Sequence, residues 1–362
     1  MEATYSSGQG EVAAERPALS VPSFILSLAI VFCLAILANR LNVWGNAPFG
    51  RQVLEYPLWA AGLGLLVSVI IGALGVRERV NQAFRTELFL KTGLVLMGAT
   101  VNFRDIVSIG ARGIIQAIIM ITCVFIFTWY VSKLFKLDDK LRALMAASVA
   151  ICGVSAAIAA AGAVVARREH LAYVTTLVIL FALPLMIFMP WAAKAMGLST
   201  DISGAWIGGN IDTTAAVVGA GAVHSEAAMK VASIVKMSQN ALIGVAAFLL
   251  ALYWVLVVER KPEEKPSAIE IWHRFPKFVL GFAAASIIVT LGLLSAGDVK
   301  TITNLRNWFL TMAFVSIGLE FAFGELRRLG GRPLLVYFLA TVFNTALGLF
   351  VAWLIFGGAV GL

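Results

Sequence analysis

Apolar runs of membrane-spanning length, separated by short charged loops, recur along the whole of this chain. We count eleven of them, and several reach the roughly 20 residues that an α-helix needs to cross a bilayer. A soluble domain could not hide so many runs of this length, so lipid must solvate most of the surface. The sequence therefore predicts an all-α polytopic membrane protein. The segments cover approximately residues 23–39, 58–75, 88–103, 112–134, 141–165, 171–194, 202–222, 228–258, 276–295, 303–323 and 332–358.

The composition agrees with this class and excludes others. Of the 362 residues, 60% are hydrophobic and 13% are charged, whereas soluble domains are about half apolar and about a quarter charged. The net charge of +8 comes mostly from short loops, and no basic stripe with interleaved aromatics indicates nucleic acid. Cys33, Cys123 and Cys152 lie apart in apolar runs, and the three histidines are scattered. We therefore expect no metal site, disulfide framework or cofactor.

The charged loops divide and orient the chain. Residues 1–22 are mostly small or polar and are expected to form a flexible cytoplasmic tail. A charged cytoplasmic loop at 259–275 separates a first transmembrane bundle, 23–258, from a second, 276–362. Lys and Arg are more frequent in the loops on the side of the N-terminus, so the positive-inside rule predicts that the N-terminus is cytoplasmic.

Two stretches of the sequence at a fixed offset resemble each other. Residues 98–112 read GATVNFRDIVSIGAR, and residues 318–332 read GLEFAFGELRRLGGR. The copies lie an odd number of segments apart, so they would cross the membrane in opposite directions. This pattern predicts inverted repeats, which are common in secondary transporters; chance recurrence of Gly and Phe at helix ends is the alternative. The matched pairs are Gly98 and Gly318, Phe103 and Phe323, Asp105 and Glu325, Gly110 and Gly330, and Arg112 and Arg332.

Two apolar segments carry small and polar residues in their middle. Backbone that leaves the helix at membrane depth must line a cavity or be buried in protein. A half-helix that starts there points free N–H groups and its positive dipole end at the cavity, which suits an oxyanion, whereas unwound carbonyl groups suit Na⁺. We predict two interrupted helices that bind a solute, with close helix packing as the alternative. The residues are Cys152, Gly153 and Ser155 in the fifth segment, and Gly208, Gly209, Asn210, Asp212, Thr213 and Thr214 in the seventh.

Two charged residues, Asp212 and Lys236, lie well inside the predicted spans. Charges inside a membrane cost several kcal/mol or more unless they are paired, and they commonly mark ion or substrate pathways. We expect these two to pair with each other, because their segments are adjacent in the chain, and to couple transport to an ion. A purely structural pair is the alternative.

At these residues the sequence resembles the sulfate exporter family of YeiH-type bacterial inner-membrane proteins. The resemblance covers most of the chain and implies a location in the inner membrane. It also implies the fold of sodium/proton antiporters and bile-acid symporters, with inverted repeats and two crossing interrupted helices. The stretches that carry it are 90–98, 151–156, 217–222, 235–237 and 313–319.

Two positions depart from that family. Asp212, Thr213 and Thr214 stand where members usually carry a His-acid-Thr run, and Gln239 stands where they often carry Arg. Both differences remove positive charge from the predicted site, which favours a cation-coupled or neutral solute over sulfate. We include Gln239 among the residues expected to bind the solute.

The sequence thus favours a secondary active transporter, in the direction of export, for a small anion such as sulfate or an organic sulfonate or carboxylate. We expect alternating access coupled to H⁺ or Na⁺, with the solute and the lipid bilayer as partners; a homodimer is left open. The alternatives are a cation/proton exchanger that uses Asp212 and Lys236, or a non-transport membrane scaffold. We find no GxxxxGK[ST] motif for ATP, and no HExxH or GxSxG motif that would indicate an intramembrane enzyme.

The predicted topology is testable with fused reporters. A reporter placed in the 259–275 loop should be cytoplasmic, and one placed after Leu362 should lie on the opposite side of the membrane. Alkaline phosphatase and green fluorescent protein fusions report the two sides. If both reporters lay on one side, the predicted segment number and the inverted orientation of the repeat would be wrong.

Overall fold

The computed structural model describes residues 21–44, 56–75, 85–258, 269–321 and 330–358, and within these ranges every regular element is helical. The helices are α1 Val21–Trp44, α2 Tyr56–Ala73, α3 Thr86–Gly98, α4 Phe103–Leu134, α5 Asp139–Ala150, α6 Val154–Ala163, α7 Arg168–Ala195, α8 Thr200–Asn210, α9 Thr214–His224, α10 Glu226–Ala241, α11 Ile243–Tyr253, α12 Ile269–Arg274, α13 Phe278–Thr290, α14 Ala296–Glu320 and α15 Gly331–Phe356. Helix α11 continues as a π-helical turn, Trp254–Val258.

Among the described residues, five helical stretches are long and apolar enough to cross a membrane. Their outward faces carry large apolar side chains that are exposed in the isolated chain, such as Ile118 and Leu249. Such faces require lipid, which confirms the prediction of an all-helical polytopic membrane protein. The five stretches are Tyr56–Ala73, Phe103–Leu134, Glu169–Ala195, Glu226–Val258 and Gly331–Phe356.

The helices show both predicted interruptions, whereas several helix ends differ from the predicted segments. The fifth and seventh segments are each split, into α5 and α6 and into α8 and α9, as their small and polar residues predicted. Helix α4 begins at Phe103, nine residues before the predicted start at 112. Its first turns carry Arg104, Asp105 and Arg112, which lowered the apparent hydropathy, but the Asn102 side chain accepts a hydrogen bond from the Arg104 N–H and starts the helix there.

The helices pack in two groups. Helices α1, α2, α3, α13 and α14 form the first group, and helices α4 to α11 together with α15 form the second. Between the groups, α9 packs against α2, α3 and α14, and α13 packs against α4. Helices that precede and follow the predicted 259–275 loop therefore pack within the same group. Residues 1–20, 259–268 and 322–329, which include most of the predicted tail and the repeat residues Phe323 and Glu325, lie outside the described residues.

Within the first group, α2 and α14 approach each other most closely at Gly64 and Gly318. A Cβ atom on Gly318 would lie 2.7 Å from the Leu65 backbone nitrogen, and one on Gly64 would lie 3.0 Å from the Leu319 nitrogen. Neither position can therefore hold a larger side chain without moving a helix. Such contacts between small residues let transmembrane helices approach closely.

An ion pair between a buried arginine and a glutamate whose side chain is 55% exposed connects the two groups. Arg306 of α14 is only 2% exposed, and its guanidinium donates to both carboxylate oxygens of Glu226, the first residue of α10, at 2.8 and 3.3 Å. The same guanidinium lies 3.4 Å from the Thr100 hydroxyl oxygen and donates to Asn307. Bidentate Arg–carboxylate pairs are among the stronger polar contacts in proteins, so this pair fixes the start of α10 against α14.

We expect Glu226→Gln to lower the stability of the folded protein. The buried Arg306 guanidinium would lose its compensating charge, at a cost of about 1.5–3 kcal/mol. Arg306→Met in the same chain should restore part of the loss, because it removes the uncompensated charge. The measurement is the melting temperature of purified protein in detergent.

An exposed ion pair offers a matched control. Lys91 and Glu87 are 2.7 Å apart. Glu87 is exposed about as much as Glu226, at 66% against 55%, but Lys91 is 47% exposed where Arg306 is 2% exposed. Glu87→Gln should therefore change the stability by less than about 1 kcal/mol. Equal losses in the two Glu→Gln variants would show that the Arg306 pair contributes no more than a surface pair.

Candidate functional site

The interruption between α5 and α6 is built around Gly153. This residue has φ +62°, a left-handed conformation that L side chains rarely adopt. A Cβ atom there would also lie 3.3 Å from both the Cβ and the carbonyl oxygen of Asp212. Glycine is therefore required both for the local turn and for the close approach of the second interruption.

The interruption between α8 and α9 follows Asn210. Ile211 and Thr213 are extended, with ψ of 132° and 137°. The Thr213 hydroxyl accepts a hydrogen bond from the Ala216 N–H at 3.2 Å and so starts α9. Asp212, between the two half-helices, is 2% exposed. Its contact with Gly153 brings the two interruptions together in the interior of the protein.

Side chains of α10 satisfy the backbone carbonyls that the interruptions leave without helical partners. The Lys236 ammonium donates to the Ile151 carbonyl at 2.6 Å and to the Gln239 amide oxygen at 2.9 Å. The Gln239 amide nitrogen lies 2.9 Å from the Ala150 carbonyl and 3.4 Å from the Gly209 carbonyl. One pair of side chains thus holds the C-terminal ends of α5 and α8 together.

Helix α15 completes this network from the other side. The Tyr337 hydroxyl donates to the Asp212 carboxylate at 2.6 Å, and the Asn344 amide donates to the Asn210 carbonyl at 3.0 Å. Our sequence analysis missed both residues, because it searched the spans for charged side chains. The available signal was the spacing of Tyr337, Thr341 and Asn344, which lie four and three residues apart on one face of an apolar helix.

The expected ion pair between Asp212 and Lys236 is not formed. Among the ion pairs of the described residues, none joins these two side chains within 4.0 Å. The Lys236 ammonium is directed instead to the Ile151 carbonyl, and Tyr337 is the partner of Asp212. Adjacent segments did bring the two residues to one site, but unpaired backbone carbonyls compete for the ammonium.

Helices α6 and α9, each of which follows an interruption, differ at their starts. Helix α9 is capped by Thr213, whereas α6 has no side-chain cap and begins directly after Gly153. In the first turn of α6, Ser155 is exposed, and Cys152 just before it is 7% exposed. Gly153 has no side chain to cap α6, so the Val154 and Ser155 N–H groups carry no cap from it, whereas the Ala156 N–H is hydrogen-bonded to the Cys152 thiol.

The remaining predicted residues make contacts with neighbouring helices. Thr214 accepts a hydrogen bond from the Asn240 amide at 3.2 Å, and the Asn210 amide lies 3.1 Å from the Thr345 hydroxyl oxygen. A Cβ atom on Gly208 would lie 2.6 Å from the Ala232 carbonyl oxygen of α10, and one on Gly209 would overlap the Gln116 amide. These two glycines thus lie at close helix contacts.

In the described ranges, no three His, Cys, Asp or Glu side chains are grouped to hold a metal ion.

The chain has relatives whose names describe membrane proteins and give no solute. It is 40% identical to a UPF0324 membrane protein of Rhodopirellula baltica, over 93% of its own length and 64% of the relative's. It is also 40% identical to one from Nitratidesulfovibrio vulgaris, over 93% and 60% of the two chains. A protein of Rhizobium meliloti is 28% identical, with 90% of each chain covered.

The chain therefore spans less than two thirds of the length of the first two relatives. No solved structure matches it. Residues 25–337 match the model of a family that is described as Conserved hypothetical protein 698. With this match and the UPF0324 relatives, the chain belongs to the Conserved hypothetical protein 698 family of UPF0324 membrane proteins.

Proposed function

We propose that this protein is a secondary active transporter of a small anion, such as sulfate or an organic sulfonate or carboxylate. The observation that carries the proposal is the contact between two interrupted helices, at Gly153 and Asp212, in the interior of a membrane protein. Irregular backbone at this depth must line a cavity or be buried in protein, and discontinuous helices form the substrate sites of many secondary transporters. The proposal includes the inner membrane, a cytoplasmic N-terminus, inverted repeats and the antiporter-like fold, but no cofactor and no catalytic residue.

The start of α6 is the proposed position of the anion. Its Val154 and Ser155 N–H groups carry no side-chain cap, and the positive end of the helix dipole favours an anion there. The exposed Ser155 hydroxyl lies in the same turn and would have to leave the Cys152 thiol to donate its hydrogen bond to the anion. The negative ends of α5 and α8 do not repel the anion as strongly, because Lys236 and Gln239 bind their carbonyls.

Asp212 supplies a physical reason for proton coupling. It is the only buried carboxylate among the described residues, and it adjoins Gly153 at the start of α6. A charged Asp212 and an anion at α6 would repel each other at short range in a medium of low dielectric constant. Protonation of Asp212 removes this repulsion, so the anion and a proton bind together more readily than the anion alone.

Movement of the two helix groups is the proposed basis of alternating access. Helix α9, which starts at the site, packs against α2, α3 and α14 of the first group. The contact between the two interruptions at Gly153 and Asp212, which we call the crossing, therefore lies in the second group, next to the boundary between the groups. Rocking of one group against the other around such a site is a common transport mechanism.

The second candidate is a cation/proton exchanger, which the burial of Asp212 favours. In that case the carboxylate would bind the transported cation and proton in turn, and flux would need no anion. Lys236, whose ammonium is engaged by the Ile151 carbonyl, would then stabilise the crossing without exchanging a proton.

Loss of the hydroxyls at the starts of the two half-helices should weaken anion binding. We expect Ser155→Ala and Thr214→Val to reduce affinity roughly tenfold or more, since a hydrogen bond to a charged ligand contributes about 1.5–3 kcal/mol. Anion-dependent thermal stabilisation of the purified protein measures binding, with sulfate, an alkyl sulfonate and a carboxylate as probes.

Thr176→Val is the matched control for this pair. The Thr176 hydroxyl is bonded to the Ala172 carbonyl of its own helix, on a half-buried face of α7. This variant should bind anions as the wild type does. If Ser155→Ala and Thr214→Val also kept the wild-type affinity, the two half-helix starts would be packing elements and the anion site would be wrong.

Asp212→Asn should abolish the pH dependence of transport while the protein stays folded. Asparagine can accept the same hydrogen bond from Tyr337 but carries no charge. The measurement is uptake of labelled anion into proteoliposomes, with and without a pH gradient. Asp201→Asn, an exposed carboxylate in the first turn of α8, should keep the wild-type pH dependence.

The same assay separates the two candidates. Uptake by Asp212→Asn that kept the wild-type response to pH would remove this carboxylate from coupling. Exchange of Na⁺ or K⁺ for protons in vesicles that contain no transported anion would favour the cation/proton exchanger instead.

A further inference from the structure

A cavity that faces the lipid lies next to the crossing. It has a volume of about 380 Å³ and lies between α4, α5, α6 and α11. Four of the large residues that line it are also among the most exposed apolar residues of these helices, so the cavity is a groove that opens toward the membrane. These residues are Ile126, Tyr130, Leu249 and Tyr253, with exposures of 49%, 64%, 57% and 45%.

The floor of this groove is made of small residues. Six alanines leave space along its length, and the hydroxyl groups of the lining belong to Thr122, Tyr130 and Tyr253. A space of this size without a partner forfeits dispersion contacts along all of its walls. Because the lining offers too few polar partners to hold water, an apolar chain is the occupant that fits. The alanines are Ala147, Ala156, Ala159, Ala160, Ala246 and Ala247.

One end of the groove is polar and carries positive charge. Trp129, Tyr130 and Tyr253 line this end, and such aromatic side chains favour the level of the lipid headgroups. The Arg142 guanidinium stacks on the Trp129 ring at 4.3 Å and is ion-paired with Asp139. Around this end, the connection from α4 to α5 has a net charge of two positive units, and Lys133 is exposed, so an anionic headgroup is electrostatically favoured. The charged residues are Lys133, Lys136, Lys140 and Arg142 against Asp138 and Asp139.

We propose that this groove binds one acyl chain of an anionic phospholipid, with the phosphate at the end formed by Trp129, Tyr130 and Tyr253. The alanine floor accepts the chain, and the net positive charge of the connection from α4 to α5, which includes exposed Lys133, favours the phosphate oxygens. This lipid site does not depend on which solute is transported.

The groove shares a wall with the functional site. Ile151 lines it, and the carbonyl of the same residue accepts the hydrogen bond from Lys236. Ala156, in the first turns of α6, also lines it. A bound acyl chain therefore packs directly against the interruption between α5 and α6. Without the acyl chain, Ile151 and Ala156 would lose these contacts on the side of the groove.

The test uses a variant that fills the groove. Ala246→Phe places a ring in the space, whereas Ala284→Phe makes the same change on an exposed position of α13, outside the groove. Native mass spectrometry of the purified proteins should show one retained phosphatidylglycerol on the wild type and on Ala284→Phe, and its loss from Ala246→Phe. Added phosphatidylglycerol should raise the melting temperature of the first two proteins only, and phosphatidylcholine with the same chains should have a smaller effect.

Two further measurements keep the proposal falsifiable if Ala246→Phe does not fold. Lys133→Gln should reduce the difference between the two headgroups, and a photoactivatable phosphatidylglycerol should cross-link wild-type α4 or α11. Equal stabilisation of the wild type by both headgroups would overturn the anionic site. Cross-links that fell outside the groove, or a dimer whose interface covered these residues and excluded lipid, would overturn the acyl-chain site.

Discussion

Every backbone N–H and C=O group inside a membrane needs a partner, because lipid offers none. Two helices of this protein break that condition at Ile151 to Gly153 and at Ile211 to Thr213. The arrangement of the second helix group follows from how the broken ends are satisfied. Helix α10 supplies Lys236 and Gln239 to the carbonyl ends, and helix α15 supplies Asn344. Without these donors the interruptions would not be stable at this depth, and neither the exposed start of α6 nor the position of Asp212 would exist.

Helix α10 also connects the two helix groups. Helix α10 begins at Glu226, which pairs with Arg306 of the first group, and it carries Lys236 and Gln239 in its second half. An α-helix is a stiff element that rises 1.5 Å per residue. A shift of the first group at Arg306 would therefore act on the carbonyl ends of α5 and α8 through one rigid helix, which connects the boundary between the groups to the crossing.

Much of this arrangement could be predicted from the sequence, and the exceptions have physical reasons. Gly153 and the run from Gly208 to Thr214 marked both interruptions, since small and polar residues are conspicuous in an apolar span. The partner of Asp212 could not be predicted, because Tyr337 lies 125 residues away and only the folded packing of α15 brings it there. The prediction that Asp212 pairs with Lys236 was wrong, because the interruption leaves the Ile151 carbonyl without a helical partner and the ammonium donates to it instead. The helix group that contains α14 could not be predicted from the sequence either, since the contacts of α14 with α2 and α3 join distant parts of the chain.

The left-handed conformation of Gly153 has a consequence for any movement at this site. Its N–H donates to the Ser148 carbonyl at 2.9 Å, five residues back, so the turn is already closed by its own hydrogen bond. To rejoin α5 and α6 into one continuous helix, the chain would have to reverse the sign of this dihedral angle. It would also have to withdraw the Ala150 and Ile151 carbonyls from Gln239 and Lys236. The interruption at Gly153 is thus built into this backbone, and the transport proposed above would have to move α5 and α6 as intact pieces.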